Sequence, residues 1–209
     1  MCAVRRAGNA DDRGRVVKPG PLDSNGQPWQ IGTRATVDWI TEGVMVDGTV
    51  AGAVPPRFEA YAAFEEPDCS PDEPHSNHDF EHRERQIVEH ERAVVSHLRR
   101  YSPTQWWLGY LDTGAHDVVF PAAERVSMYF QWNYVLVQAG PEAALAWRPS
   151  LPDLIFPLDR SWLLSMLWDD ADSCVGDPTG LIDDLIYDPK VNARRLSTNE
   201  PLHPPGYLR

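Results

Sequence analysis

The residues best equipped for chemistry lie close together in the chain. Five of the seven histidines fall between positions 75 and 97. Among them, His78, Glu81 and His82 follow an H-x-x-E-H spacing. Side chains four residues apart share one face of a helix, so His78 and His82 could grip a Zn²⁺ ion while Glu81 serves as general base. That arrangement would make a metal-dependent hydrolase. The pattern has only three fixed positions, however, and it stands at the start of a helix behind an acidic, proline-rich stretch. A solvated helix face that holds no metal is the plainer reading.

Two further groups stand out. Asp112, His116 and Asp117 surround a turn beside Trp106, Trp107 and Tyr110. A histidine near carboxylates can act as a general acid or base, but no nucleophile accompanies it, and Asp at a turn commonly bonds backbone amides. Asp169, Asp170 and Asp172 precede Cys174 and Gly176. Clustered carboxylates suit Mg²⁺ or Ca²⁺, yet no glutamate closes a calcium loop at the right distance. The same carboxylates would raise the thiol pKa of Cys174 and make its thiolate scarce. An acidic protein-binding edge therefore ranks above catalysis. Trp106, Trp107 and Trp132 offer a third possibility, a small-molecule pocket in a regulatory module. No glycine-rich phosphate loop, G-x-S-x-G elbow or dinucleotide fingerprint occurs, so no cofactor is expected.

Charge sharpens the binding reading. The net charge is −12, but residues 1–18 carry +3 and the remainder −15. Phosphate backbones and anionic membrane surfaces should repel such a body, so neither nucleic acid nor membrane is an expected partner. Residues 151–190 alone carry −7. A face of that sign suits a basic protein, with steering to speed association. The residues expected to form it are Asp112, His116, Asp117, Asp169, Asp170, Asp172 and Asp177, with Trp132 as an aromatic anchor.

The elements that must position these residues read as α+β. We expect a mainly antiparallel sheet of five to six strands with three to four helices packed on it. Thr33 should cap a short helix that Gly43 ends. The aromatic spacing of Phe58, Tyr61 and Phe64 leans to strand. Phe80, Ile87, Val94 and Leu98 predict a helix over 79–100. Strands are expected at 106–111, 117–120, 125–131, 134–139, 162–168 and 193–196, with a turn at Trp132-Asn133. Helices should follow Pro141 and span 179–187, and 169–178 should be an acidic loop. Residues 1–30 and 199–209 read as a basic tail and a proline-rich tail around one domain, 31–198.

The three cysteines are widely spaced, which suggests neither a disulfide framework nor a Cys-x-x-Cys metal site. No apolar run reaches the length of a transmembrane helix or of a signal peptide, so a cytoplasmic protein is expected.

Residues 106–114 (WWLGYLDTG), 159–163 (DRSWL) and 167–170 (LWDD) resemble signature stretches of a family of uncharacterised actinobacterial proteins. Val54-Pro55-Pro56, followed by Phe58, Tyr61 and Phe64, is similar to the proline-then-aromatic stretch of the SUKH-type immunity superfamily. That second resemblance implies helix over 57–64. It also implies an acidic α+β protein that binds and neutralises a toxin. Joined to the charge, it makes a non-enzymatic immunity protein the leading expectation. Such a protein would cover the active site of a nuclease or of a nucleotide- or NAD-consuming toxin.

Overall fold

The computed structural model describes residues 30–44, 49–67, 77–112, 123–129, 131–146, 150–166 and 172–201, with side chains in the helix that opens at 77 described from residue 82. The expected strand at 117–120 lies outside these residues, as do the expected tails except at their inner ends, which are structured: Gln30 begins a strand, and the Glu200 carbonyl accepts the Val50 amide at 3.0 Å. The described chain is α+β, with a nine-stranded antiparallel sheet and five helices. The class matches the sequence reading, and the sheet is larger than expected.

In chain order the elements are β1 (Gln30–Ile31), α1 (Arg34–Thr41), α2 (Val50–Ala53), β2 (Ala60–Glu65), α3 (Asn77–Tyr101), β3 (Trp106–Leu111) and β4 (Val126–Met128). There follow β5 (Trp132–Ala139), α4 (Pro141–Ala146), β6 (Leu154–Pro157), β7 (Leu163–Met166), β8 (Asp172–Asp177), α5 (Thr179–Tyr187) and β9 (Arg194–Leu196). The sheet order is β1-β5-β3-β6-β7-β8-β2-β9, and β4 pairs with the part of β5 that β1 leaves free.

Both faces of this sheet are covered. Strand side chains alternate between faces, so each strand feeds two cores. One core gathers Val37, Ile40, Val50, Trp107, Leu136, Phe156 and Leu163 beneath α1 and α2. The other gathers Val94, Leu98, Trp106, Leu108, Ile155, Trp162 and Leu181 beneath α3, α4 and α5. A central strand covered on both sides reads as an unbroken apolar run, as Trp106–Leu111 does. The helix α3 turns Val94 and Leu98 inward as its spacing predicts, and Arg99 and Arg100 sit favourably against the negative end of its dipole.

Several expectations need correction. The hairpin turn is at residues 129–131, not at Trp132-Asn133. Asn133 pairs with Ser127 in the ladder, and Tyr129 and Gln131 take positive φ angles of 48° and 68° to reverse the chain. Residues 172–177 form β8 and not a loop. The strand β6 was hidden by the prolines that bracket it, at 152 and 157. The segment 50–53, where no element was expected, forms one turn of helix. Gly176 has a packing reason: a Cβ there would lie 2.5 Å from Phe58 Cδ2 and 2.6 Å from Val54 Cγ1. Its bare backbone lets the 54–58 segment lie directly on β8.

Candidate functional site

The sheet register decides where the acidic segments emerge. The C-terminal end of β3, the N-terminal end of β6, the C-terminal end of β7, the N-terminal end of β8 and the C-terminal end of β2 lie side by side. Asp153 fastens this end. Its Oδ2 accepts the Leu111 amide at 2.9 Å and its carbonyl accepts the Met166 amide at 2.8 Å. It thereby ties together the points where the chain leaves β3 and β7. Three connections therefore start here: the one after Glu65, the one after Asp112 and the one after Met166. Those after Asp112 and Met166 also re-enter here, through β4 opposite Tyr134 and through Asp172. They carry Glu65, Glu66, Asp68, Asp72, Glu73, Asp112, Asp117, Asp169 and Asp170 in sequence.

Asp112 is exposed at this end, and its Oδ2 accepts from Arg125 Nε at 2.7 Å. Trp132 opens β5, half-buried, opposite Met128. Asp172 also lies at this end, but it is only 2% exposed, and Arg194 reaches its Oδ2 at 3.3 Å. Asp177 sits at the other end of β8, roughly 17 Å of strand away. It too is 2% exposed. Its Oδ2 accepts the Leu181 amide at the start of α5. Burial, with Glu59 nearby, pushes its carboxyl up to about 7. Asp172 and Asp177 are therefore removed from the expected docking face: one is enclosed in the sheet, the other is at the wrong end of it. His116, Asp117, Asp169 and Asp170 lie outside the described residues.

The alternatives fare as follows. His78 and Glu81 fall within α3, but their side chains lie outside the described set; His82 is exposed. Among the described residues no three His, Cys, Asp or Glu side chains converge as metal ligands. Trp106 and Trp107 point into opposite cores, because neighbours on a strand face opposite ways, so these tryptophans line no common pocket.

Sequence reading missed a polar seam between α3 and α5. His97 Nε2 donates to Asp188 Oδ2 at 2.7 Å, and Arg100 donates to His97 Nδ1. The His97 contact, with the Lys190 amide, holds the Asp188 carboxyl below its ordinary range. Tyr101 and Arg100 both reach Asp184, and His90 Nδ1 donates to the Lys190 carbonyl at 2.9 Å. Burial lowers the His90 pKa. Both ring nitrogens of His97 are occupied, so the seam reads as a lock between helices and not as a poised proton-transfer group. The signal was available: His90 and His97 stand seven apart on the inward stripe of α3.

On the opposite face, Tyr129 ties the β4–β5 hairpin to α2. Its hydroxyl donates to the Ala53 carbonyl at 3.0 Å and accepts from Ser165 Oγ at 2.8 Å, and burial raises its phenol pKa. Comparison with protein-family models, with curated proteins and with solved structures finds no match to this chain.

Proposed function

We propose that this chain is a non-enzymatic binding protein of the toxin-neutralising immunity type. It acts by occlusion. The acidic end of the sheet covers the basic active-site cleft of a nuclease or of a nucleotide- or NAD-consuming toxin. The observation that carries the reading is the register: connections rich in Asp and Glu, distant in sequence, leave the sheet at one end, beside Asp112. Carboxylates gathered in this way project a field that steers a cationic partner, which charges scattered evenly would not. Where the SUKH-type resemblance implies helix over 57–64, the chain has β2 from Ala60. Support therefore comes from charge and placement, not from that likeness.

The test is co-expression with the product of the adjacent gene, followed by pull-down and a toxicity-rescue assay. A stable complex is expected, weakened when Asp112, Asp169 and Asp170 are changed together to Asn. Each exposed charge contributes modestly, so the triple change should cost on the order of 10- to 100-fold in affinity, mostly through association rate and more at low salt. No stable partner, or a complex indifferent to the triple change, sinks the reading.

A further inference from the structure

The opposite end of the sheet holds a small cationic, aromatic site. Trp39, on α1, is half-buried against Phe156 and Phe58, with ring centroids 5.5 Å and 6.4 Å away. Two guanidinium groups lie over its ring. The Arg57 Cζ is 5.1 Å from the ring centroid and the Arg160 Cζ is 5.8 Å from it. Both arginines are exposed and approach from different connections, one before β2 and one between β6 and β7.

Neither arginine has a carboxylate partner among the described residues, although acids adjoin them in sequence. Asp38, beside Trp39, pairs with Arg34 at 2.8 Å. Asp159 accepts from the Ser161 amide and hydroxyl at 3.1 Å and 2.8 Å. Glu59 raises the pKa of the Asp177 carboxyl by like-charge repulsion. By contrast Arg99, Arg100, Arg125, Arg194 and Arg195 all reach carboxylates. In a chain of charge −12, two cations left together on one ring are an exception.

Both backbones are pinned. Tyr61 Oη donates to the Pro55 carbonyl at 3.2 Å and accepts the Phe58 amide at 3.0 Å, which fixes the turn that carries Arg57. Arg160 is held with φ at 59°, its amide on the Pro157 carbonyl at 3.0 Å. A bulky residue in the left-handed region is strained and persists only where its surroundings insist. Two like charges, each within 5.8 Å of one ring centre, repel, and an anion that bridges them relieves that repulsion. Guanidinium forks match phosphate oxygens in pairs, and their planes, stacked on the indole, offer a planar group a surface to stack on in turn.

We propose that Arg57, Arg160 and Trp39 form a binding site for a small phosphate-bearing molecule. The site is separate from the acidic end and does not depend on the occlusion reading. The test is isothermal titration calorimetry of the full chain at low ionic strength, with inorganic pyrophosphate and with adenosine monophosphate as probes. One saturable site is expected, weakened at least about tenfold in Arg57→Gln and in Arg160→Gln. Arg57→Lys and Arg160→Lys keep the charge but lose the paired geometry, and should bind with intermediate strength. Arg99→Gln, on the far face of the sheet, should leave binding unchanged. Tighter binding of the nucleotide than of pyrophosphate assigns a ring-bearing ligand; the reverse assigns a bare phosphate compound. Absence of saturable binding for both probes overturns the proposal. So does equal weakening by Arg99→Gln, which marks non-specific attraction, or indifference to both glutamine variants.

Discussion

At one end of the sheet the chain passes through Asp- and Glu-rich connections anchored by Asp153; at the other it passes through two tight turns that place Arg57 and Arg160 on Trp39. The strands between them are the same strands. What differs is which connections the antiparallel register delivers to each end. The acidic end is held by Asp153, whose buried carboxylate accepts one backbone amide and whose carbonyl accepts another, while Asp112 stands exposed against Arg125. The arginine end is held by the Tyr61 hydroxyl, by the Arg160 amide on Pro157 and by Gly176, with Asp38 and Asp159 turned to other partners. Net charge alone hides this division, since the sum of −12 is silent on where either sign stands.

Substitutions should break the two ends separately. The largest effect is expected from Gly176→Val. A side chain there collides with Phe58 and Val54, so the variant should lose about 3 kcal/mol in denaturant unfolding, the upper end for overpacking, and lose phosphate binding as well. Partner binding at the far end should survive in whatever fraction stays folded. Asp153→Ala is the converse. It strips the Leu111 amide of its buried acceptor and should cost about 1–3 kcal/mol, with weakened partner binding and intact phosphate binding.

Asp177 yields a smaller, pH-dependent effect. Its folded pKa, raised to about 7, exceeds the unfolded value, so its contribution is full below the unfolded pKa and is lost as pH rises through about 7. Asp177→Asn keeps an acceptor for the Leu181 amide and removes the ionisation. It should raise the melting temperature by a few degrees at pH 8, with little change at pH 4. His90, with a lowered pKa, works in the opposite sense: its contribution is present above the unfolded pKa and fades as pH falls below it. The smallest effect belongs to Arg125→Gln. An exposed pair with Asp112 is worth less than about 1 kcal/mol, so stability should scarcely move, whereas the freed Asp112 should tighten a cationic partner slightly.

Much of the local structure was legible. The inward stripe of α3, the unbroken apolar run of β3, Pro141 opening α4 and the apolar stripe of α5 each encode their element within a few residues. The strands β6 and β8 were hidden because prolines flank one and aspartates the other. Those aspartates are tolerated inside because Arg194 meets Asp172 and the Leu181 amide meets Asp177. The site was less legible for a related reason. Which connections share an end depends on pairings between distant segments, and Trp39, Arg57 and Arg160 come from three of them. Spacing along the chain reports helix faces and strand alternation; it does not report register across a sheet.

The placement of β2 also bears on how this protein is made. Its two neighbours are β8 and β9, so it must wait for residues 172–196 before either flank is closed. During synthesis the Ala60–Glu65 segment leaves the ribosome more than a hundred residues ahead of them, with open backbone groups on both sides. A ribosome that stalled before Asp172 would release a sticky fragment, and a cell making this chain in quantity would need a holdase to shelter it until the last quarter arrived.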